Sequence, residues 1–335
     1  MDVEFHYYIT YVLALKAGFE KGDAHIIAYS SQYTDDNTIV YKVKLKDGEY
    51  RNYISQTFDI LKPQKKLMRI YPAFHFMPGS KEELFTDGFK RKDGKTHLLL
   101  TVEDNANGKA LLRDALRKND LFRIGIACHT YADTFAHQNF VGYYDEVNGM
   151  KGFPERLFPN IGHADAGRKP DISNLIWEDL RLGSPWRIVN NKERFLLAAR
   201  LIYREFCAYT GKDLKEEDTL MEEIDQAIGS PTWKETPQEK RLARLKGLLK
   251  DGFPDYDRTE WVKEAFELGP FSAIFFLINN LLLKLGLFSI TIPVKGRERF
   301  FESKWFRFQE AVKAHQKIAL ELLKSTFSSM EIKDL

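Results

Sequence analysis

The segment GIACHTYADTFAHQNF, residues 125–140, constrains this chain more than any other. His129, Asp133 and His137 stand at i, i+4 and i+8, and on a helix that spacing puts all three on one face. Helical rise separates the two histidines by about 12 Å along the axis, too far for one ion to take both comfortably. Asp133, midway, reaches toward either, so the simplest arrangement is a carboxylate bridging two metal ions about 3.5–4 Å apart. The competing reading is a polar stripe facing solvent. Ile126, Ala127, Tyr131, Ala132, Phe135 and Ala136 argue against it, because they surround the stripe with small or apolar groups. A desolvated His–Asp–His row needs partners, and metal is favoured over a hydrogen-bonded core row.

Three ligands on one helix cannot complete two coordination spheres, and the distribution of histidine suggests where others lie. Seven of the eight histidines fall in the first half of the chain, and His315 alone in the second. His6 belongs to the first helical pattern, on the face it shares with Thr10, and Asp35 and Asp36 end the second. His75 sits in YPAFHFMPG, and His163 in PNIGHADAGRKPD with Asp165 and Asp171 downstream. One such histidine beside aromatics is more often structural. Together they supply the mixed nitrogen and oxygen ligands that zinc accepts at about 2.0–2.2 Å. His25 and His97 read as surface or capping residues. Cys128 and Cys207 are too few for a disulfide scaffold and too far apart for a Cys-x-x-Cys site.

Periodicity makes the chain mainly α with a small β-hairpin insertion at about 38–56. Helical patterns run over residues 3–19, to about 35, and over 108–117 and 120–140. In the hairpin Tyr41, Val43 and Leu45 alternate with lysines, Asp47-Gly48 turns, and 50–54 returns. Residues 141–187 lack a sustained period and read as a long functional loop. Later, Phe195, Ala199, Ile202, Phe206 and Tyr209 mark a helix, and Thr236-Pro237-Gln238-Glu239 a capping box. Phe301, Trp305, Phe308, Val312, His315, Ala319 and Leu322 form the stripe of a last one, so His315 is a packing residue. We divide the chain into a metal-binding helical core with the β insertion, 1–185, and a helical part, 186–335, packed on the same core.

Fifty basic residues against 48 acidic give no support to a nucleic-acid partner held by bulk charge. The start MDVEFHYY has no basic region before an apolar stretch, and few cysteines go with it, so the expected location is the cytoplasm. The apolar segment Phe271–Val294 holds Asn279, Asn280 and Lys284, each costing about 2 kcal/mol or more in a bilayer if unpaired. A buried core helix followed by a short strand is the preferred reading. Peripheral contact with a membrane surface is the alternative.

Taken in order, an N-terminal His, an acidic pair after the second helix, an isolated His-Phe, a His-x-x-x-Asp helix with a later His, and a final His-plus-acid segment resemble the zinc-dependent phospholipase C and single-strand-specific nuclease superfamily. HTYADTFAH followed by GHADAGRKPD is similar to a bacterial branch of that group. The resemblance covers residues 1–180 and implies a multi-helix phospholipase C-like bundle. It implies one zinc on Asp35 or Asp36, His75, His129 and Asp133, a second on His6 and Asp133, and a third on His137, His163 and Asp165 or Asp171. In the superfamily's secreted members the mature N-terminal amine is also a ligand. Here Met1 precedes His6 by only five residues, and no such ligand is expected.

The implied activity is hydrolysis of a phosphodiester or phosphomonoester, from lipid, nucleotide or small molecule, by a metal-activated water. Asp36 or Asp165 would take the proton, Lys169 and Arg168 would face the phosphate, and Gln138 and Tyr131 would orient ligating imidazoles. Two or three zinc ions are expected, although other divalent transition metals accept the same ligands. Cys128 points about 100° from His129 and reads as a buried small hydrophobe. Two other classes compete: a catalytically inactive, zinc-stabilised scaffold, and a lipid-binding protein working through Phe271–Val294. A phosphohydrolase of the adjacent His-Asp type is disfavoured, since no such pair occurs.

Overall fold

The computed structural model describes residues 1–57, 64–87, 90–150, 161–249, 252–284 and 290–332. The chain is mainly α, as the periodicity predicts. It opens on a π-helical turn, Glu4–Ile9, which continues as α1 (Thr10–Lys16) and is followed by α2 (Lys21–Asp36). The predicted hairpin is β1 (Tyr41–Leu45) and β2 (Gly48–Arg51). Then come α3 (Gln64–Met68), a second π-helical turn over Tyr71–His75, α4 (Lys81–Asp87), α5 (Ala106–Arg117) and α6 (Leu121–Ala136). A small antiparallel pair, β3 (Ile176–Glu178) and β4 (Ile188–Asn190), lies in the predicted loop, of which residues 151–160 fall outside the described residues. The remainder is α7 (Asn191–Thr210), α8 (Glu217–Ile228), α9 (Gln238–Lys246), α10 (Glu260–Ala265), β5 (Phe266–Glu267), α11 (Pro270–Lys284), β6 (Ile292–Gly296) and α12 (Lys304–Ser329).

Helix α6 is the axis of the molecule. The Asp120 carboxylate accepts from the N–H groups of Phe122 and Arg123, which caps its start. Every residue from Phe122 to Ala136 is buried, and α2, α5, α7 and α12 pack around it. Gly125 makes the α2 contact possible: a Cβ there would lie 2.3 Å from the carbonyl oxygen of Ile27. The helix ends four residues before its predicted limit, because His137 leaves helical geometry (φ −92°, ψ 21°) and Asn139 takes a positive φ of 65°. His137 is therefore a cap residue rather than a third turn of the stripe.

The two halves share one core. Phe5 meets Phe195 edge-on at 5.5 Å, and Tyr29 stacks on Trp261 at 4.0 Å. They also share a sheet of order β2-β1-β6-β5, in which β1 runs antiparallel to β2 and parallel to β6. That pairing joins the hairpin to a strand some 250 residues later, which no local pattern announces.

Several local expectations are corrected. Thr236 forms no capping box: the α9 start has no side-chain cap, and the Thr236 hydroxyl bonds Asn174. Tyr209 is exposed at the end of α7, its hydroxyl donating to Asn119. Phe301 precedes α12 and is exposed, whereas Trp305, Phe308, Val312, His315 and Ala319 are buried as expected. Helix α11 is no core helix, since Ile274, Leu277, Ile278 and Leu281 face solvent. Among the described residues no helix is long and apolar enough to cross a membrane.

Two predictions follow from this packing. Gly125→Ala forces α2 away from α6 and should cost about 2 kcal/mol or more in urea unfolding. His315 stacks on Phe74 with Nε2 3.1 Å from the Ala73 carbonyl and 3.2 Å from the Thr130 hydroxyl. Burial pushes its pKa down to about 3. The unfolded chain takes up that proton below about pH 6.5, so the stability His315 contributes is full above that pH and falls on acidification. Between pH 6 and 4 the wild type should lose stability more steeply than His315→Gln, by up to about 1.4 kcal/mol per pH unit. Equal slopes would contradict the burial of a neutral imidazole.

Candidate metal centre

Asp133 projects from the buried face of α6, and its two oxygens look in different directions. Oδ1 lies 2.5 Å from the Met1 nitrogen and 3.2 Å from His6 Nε2. Oδ2 lies 3.3 Å from His75 Nδ1, 3.3 Å from His129 Nε2 and 3.6 Å from His137 Nδ1. Asp35, at the end of α2, approaches from the other side, with Oδ1 3.6 Å from His75 Nδ1 and 3.8 Å from His129 Nε2. Asp171 completes the group, with Oδ1 3.0 Å from His137 Nε2 and Oδ2 3.4 Å from His163 Nε2. Three sets of donors thus adjoin one another: His6, His129 and Asp133; Asp35, His75 and His129; and His137, His163 and Asp171.

Both π-helical turns deliver ligand candidates. The first widens to an i→i+5 bond from the Thr10 N–H to the Phe5 carbonyl and presents His6; the second makes the same bond from Phe76 to Tyr71 and presents His75. Such widened turns occur often at functional sites, because they turn a side chain out of the regular helical register. A buried ion pair holds the first turn in place. Arg241 donates from Nε to both Glu4 oxygens at 2.8 and 2.9 Å, and the Ser173 hydroxyl donates to Glu4 at 2.5 Å.

Backbone carbonyls orient the rings. His75 Nε2 lies 2.9 Å from the Ser55 carbonyl oxygen, His137 Nδ1 2.8 Å from that of His75, and His163 Nδ1 2.8 Å from that of Gly167. Gly167 has φ +61°, a conformation that favours glycine, and this aims its carbonyl at the ring. A ring whose far nitrogen donates to a carbonyl keeps the near nitrogen free as a ligand. His6 and His129 stack at 3.8 Å between centroids. Both nitrogens of His6 and Nδ1 of His129 are buried without a hydrogen-bond partner. His6 Nε2, 3.2 Å from Asp133 Oδ1 and without a hydrogen bond, and His129 Nε2, 3.3 Å from Asp133 Oδ2 and 3.0 Å from His75 Nδ1, converge on the carboxylate and fit a cation between them.

The charges agree with that fit. Burial, and then the nearby His129, push His6 down to about 3. Burial also lowers His163. Burial opposes ionisation of Asp133, but the charges of His137, the Met1 amine and His129 hold it well below the usual carboxylate range. Asp171 is held low in the same way, by His163 and the Met1 amine. For the Met1 amine, burial works against the charge, yet Asp133, Asp171 and Asp35 raise its pKa to about 11. Burial disfavours protonation of His75, but its bond to Asp133 and the charge of Asp35 raise it.

The expected site residues divide cleanly. His6, Asp35, His75, His129, Asp133, His137, His163 and Asp171 come together. Asp36 does not: its Oδ2 accepts from the Tyr256 hydroxyl at 2.7 Å and from Gln32 at 3.3 Å, because adjacent helical residues diverge. Asp165 accepts from the Met150 N–H at 3.2 Å and joins none of the three donor sets. Gln138 donates to Glu103 and the Phe135 carbonyl, and the Tyr131 hydroxyl donates to Asp104, so neither orients an imidazole. Arg168 is exposed and pairs with Asp2 at 3.4 Å and Glu235 at 3.6 Å; Lys169 is exposed. The Met1 nitrogen, which the spacing to His6 spoke against, lies inside the cluster. Cys128 is buried beside Thr10, and burial pushes its thiol up to about 12.

Fold and cluster together define a mainly helical protein with a buried histidine–aspartate centre able to hold metal. The chain belongs to DUF6765, a family of unknown function, whose model matches residues 1–323. No curated protein and no solved structure matches it.

Metal analysis of the purified protein should find two or more equivalents of a divalent transition metal, and Asp133→Ala should lose at least one. Chelation should lower the unfolding temperature by several degrees, since a ligand bound only to the native state stabilises it. Substoichiometric metal with an unchanged unfolding temperature would count against the assignment.

Proposed function

We propose that this protein is a metal-dependent phosphoesterase, with two or three zinc ions held by Asp35, His75 and His129, by His6 and Asp133, and by His137, His163 and Asp171. The observation that carries this reading is the division of Asp133, with one oxygen toward His6 and the other toward His75, His129 and His137. Bound zinc would supply Lewis-acid polarisation of a phosphoryl oxygen and a water of lowered pKa. The chain's own contribution is preorganisation. His6 and His163 are neutral and Asp133 and Asp171 ionised near pH 7, the protonation states that ligation requires.

Asp35, Asp171 and His163 retain exposure, so substrate approaches from their side. Asp36 and Asp165 are engaged elsewhere, which leaves Asp35, the most exposed carboxylate of the group, to accept a proton from the attacking water. Arg168 reaches a phosphate only by leaving Asp2 and Glu235. The two free, buried thiols suit a reducing, cytoplasmic setting.

The engagement of Asp36 and Asp165 also favours a second reading, a zinc-stabilised scaffold without turnover. Hydrolysis of bis(p-nitrophenyl) phosphate and p-nitrophenyl phosphate separates the two. The enzyme reading expects turnover that chelator abolishes and that Asp133→Ala lowers about a hundredfold or more. Stoichiometric metal without turnover on any phosphoester would leave the scaffold.

A further inference from the structure

The chain passes the cluster twice on either side of the hairpin. It leaves at Asp35 and returns at Ser55, whose carbonyl oxygen lies 2.9 Å from His75 Nε2. Asn37, the residue that ends α2, ties these two points together. Its Nδ2 donates to the Tyr53 carbonyl and to Ser55 Oγ, both at 3.1 Å. Its Oδ1 accepts from Gln309 Nε2 of α12 at 3.0 Å and from Asn52 Nδ2 at 3.5 Å, so the carboxamide is fully used. The Asn37 carbonyl accepts the Ser55 N–H at 3.2 Å, and Ser55 Oγ donates to the Thr34 carbonyl at 2.8 Å. Ser55 is thus held by its N–H and hydroxyl to the end of α2, and by its carbonyl to His75.

Packing alone does not explain Gln309. It is fully buried in the middle of α12, and its Oε1 has no partner. A methionine of the same length would fill the space without leaving a polar atom unpaired. Closing the hairpin does not require Gln309 either. Asn52 does that, accepting the Tyr41 N–H at 2.7 Å and donating to the Ile39 carbonyl at 3.0 Å. What the buried amide adds is a fixed place for Asn37, and through it for the segments that carry Asp35 and face His75.

We infer that Asn37 and Gln309 are positioning residues for the metal site of Asp35, His75 and His129. Gln309 fixes Asn37 to α12, and Asn37 sets both the end of α2, two residues beyond Asp35, and the Ser55 carbonyl that orients His75. The inference rests on the reading of the cluster as a metal centre and concerns one of its three donor sets. Among the described residues no hydrogen bond of Asn37, Ser55 or Gln309 reaches His6, His137 or His163.

Release of zinc from the loaded protein to a chromogenic chelator reads the affinity of each equivalent. The visible spectrum of the cobalt-loaded protein reads the coordination. Asn37→Ala and Gln309→Met should each weaken one equivalent about 10–100-fold and alter the cobalt spectrum, the others being released as in wild type. Gln309→Met keeps the length of the side chain and carries the test if Asn37→Ala fails to fold. Val312→Ala removes core packing from the same helix; it should lower the unfolding temperature and leave zinc release unchanged. Variants at Asn37 and Gln309 that hold every equivalent as wild type does would overturn the inference. So would a weakening of all equivalents together that Val312→Ala reproduces, which makes the two amides structural only. A wild type that holds no zinc would instead remove the metal reading, and the positioning role with it.

Discussion

A single carboxylate with 1% side-chain exposure, Asp133, has four imidazoles and an amine within 3.6 Å of its two oxygens. Removing such a charge from water is expensive, by several kcal/mol even after relaxation, unless cationic partners surround it. Every partner comes from a different part of the chain: the first turn, the second π-helical turn, α6 itself and its cap. The elements that deliver them must therefore meet α6 at fixed distances. Gly125 sets one of these distances by letting the α2 backbone lie against α6, which brings Asp35 to the cluster. The Glu4–Arg241 pair sets another, anchoring the first turn to α9.

This dependence explains why the two halves form one unit. The ligand candidates all lie between residues 1 and 171, yet α9 holds His6 in place through Arg241, and α12 supports the second π-helical turn through His315. The strand β6 closes the sheet that the hairpin begins. The C-terminal half therefore buttresses the cluster from behind and presents α11 to its surroundings.

Where the sequence was legible, the signal was a period. The 3.6-residue repeat exposed α6 and its His–Asp face, and the two-residue repeat over Tyr41–Leu45 exposed the hairpin. Adjacent Asp35 and Asp36 stayed undivided because composition alone cannot say which points inward. Asp36 is claimed by Tyr256, some 220 residues away. The groups that orient the imidazoles are carbonyls of Ser55, His75 and Gly167, and a backbone oxygen has no letter in the sequence. The only trace was Gly167, a glycine four residues after His163. The proton acceptors assigned to Asp36 and Asp165 and the orienting roles of Gln138 and Tyr131 failed for the same reason: side-chain type was read without its nearest partner. Helix α11 deceived in the opposite sense, since apolar composition fits a buried and an exposed face equally well.

The central claim is that cations lie between Asp133 and the imidazole nitrogens that face it, Nε2 of His6 and Nε2 of His129. A crystal structure with anomalous scattering recorded on both sides of the zinc edge tests it most directly. At least two zinc peaks in contact with Asp133 are expected, one shared with His6 and one with His75 and His129. Crystals grown with zinc that show no peak at Asp133, with His6 hydrogen-bonded to water instead, would contradict it.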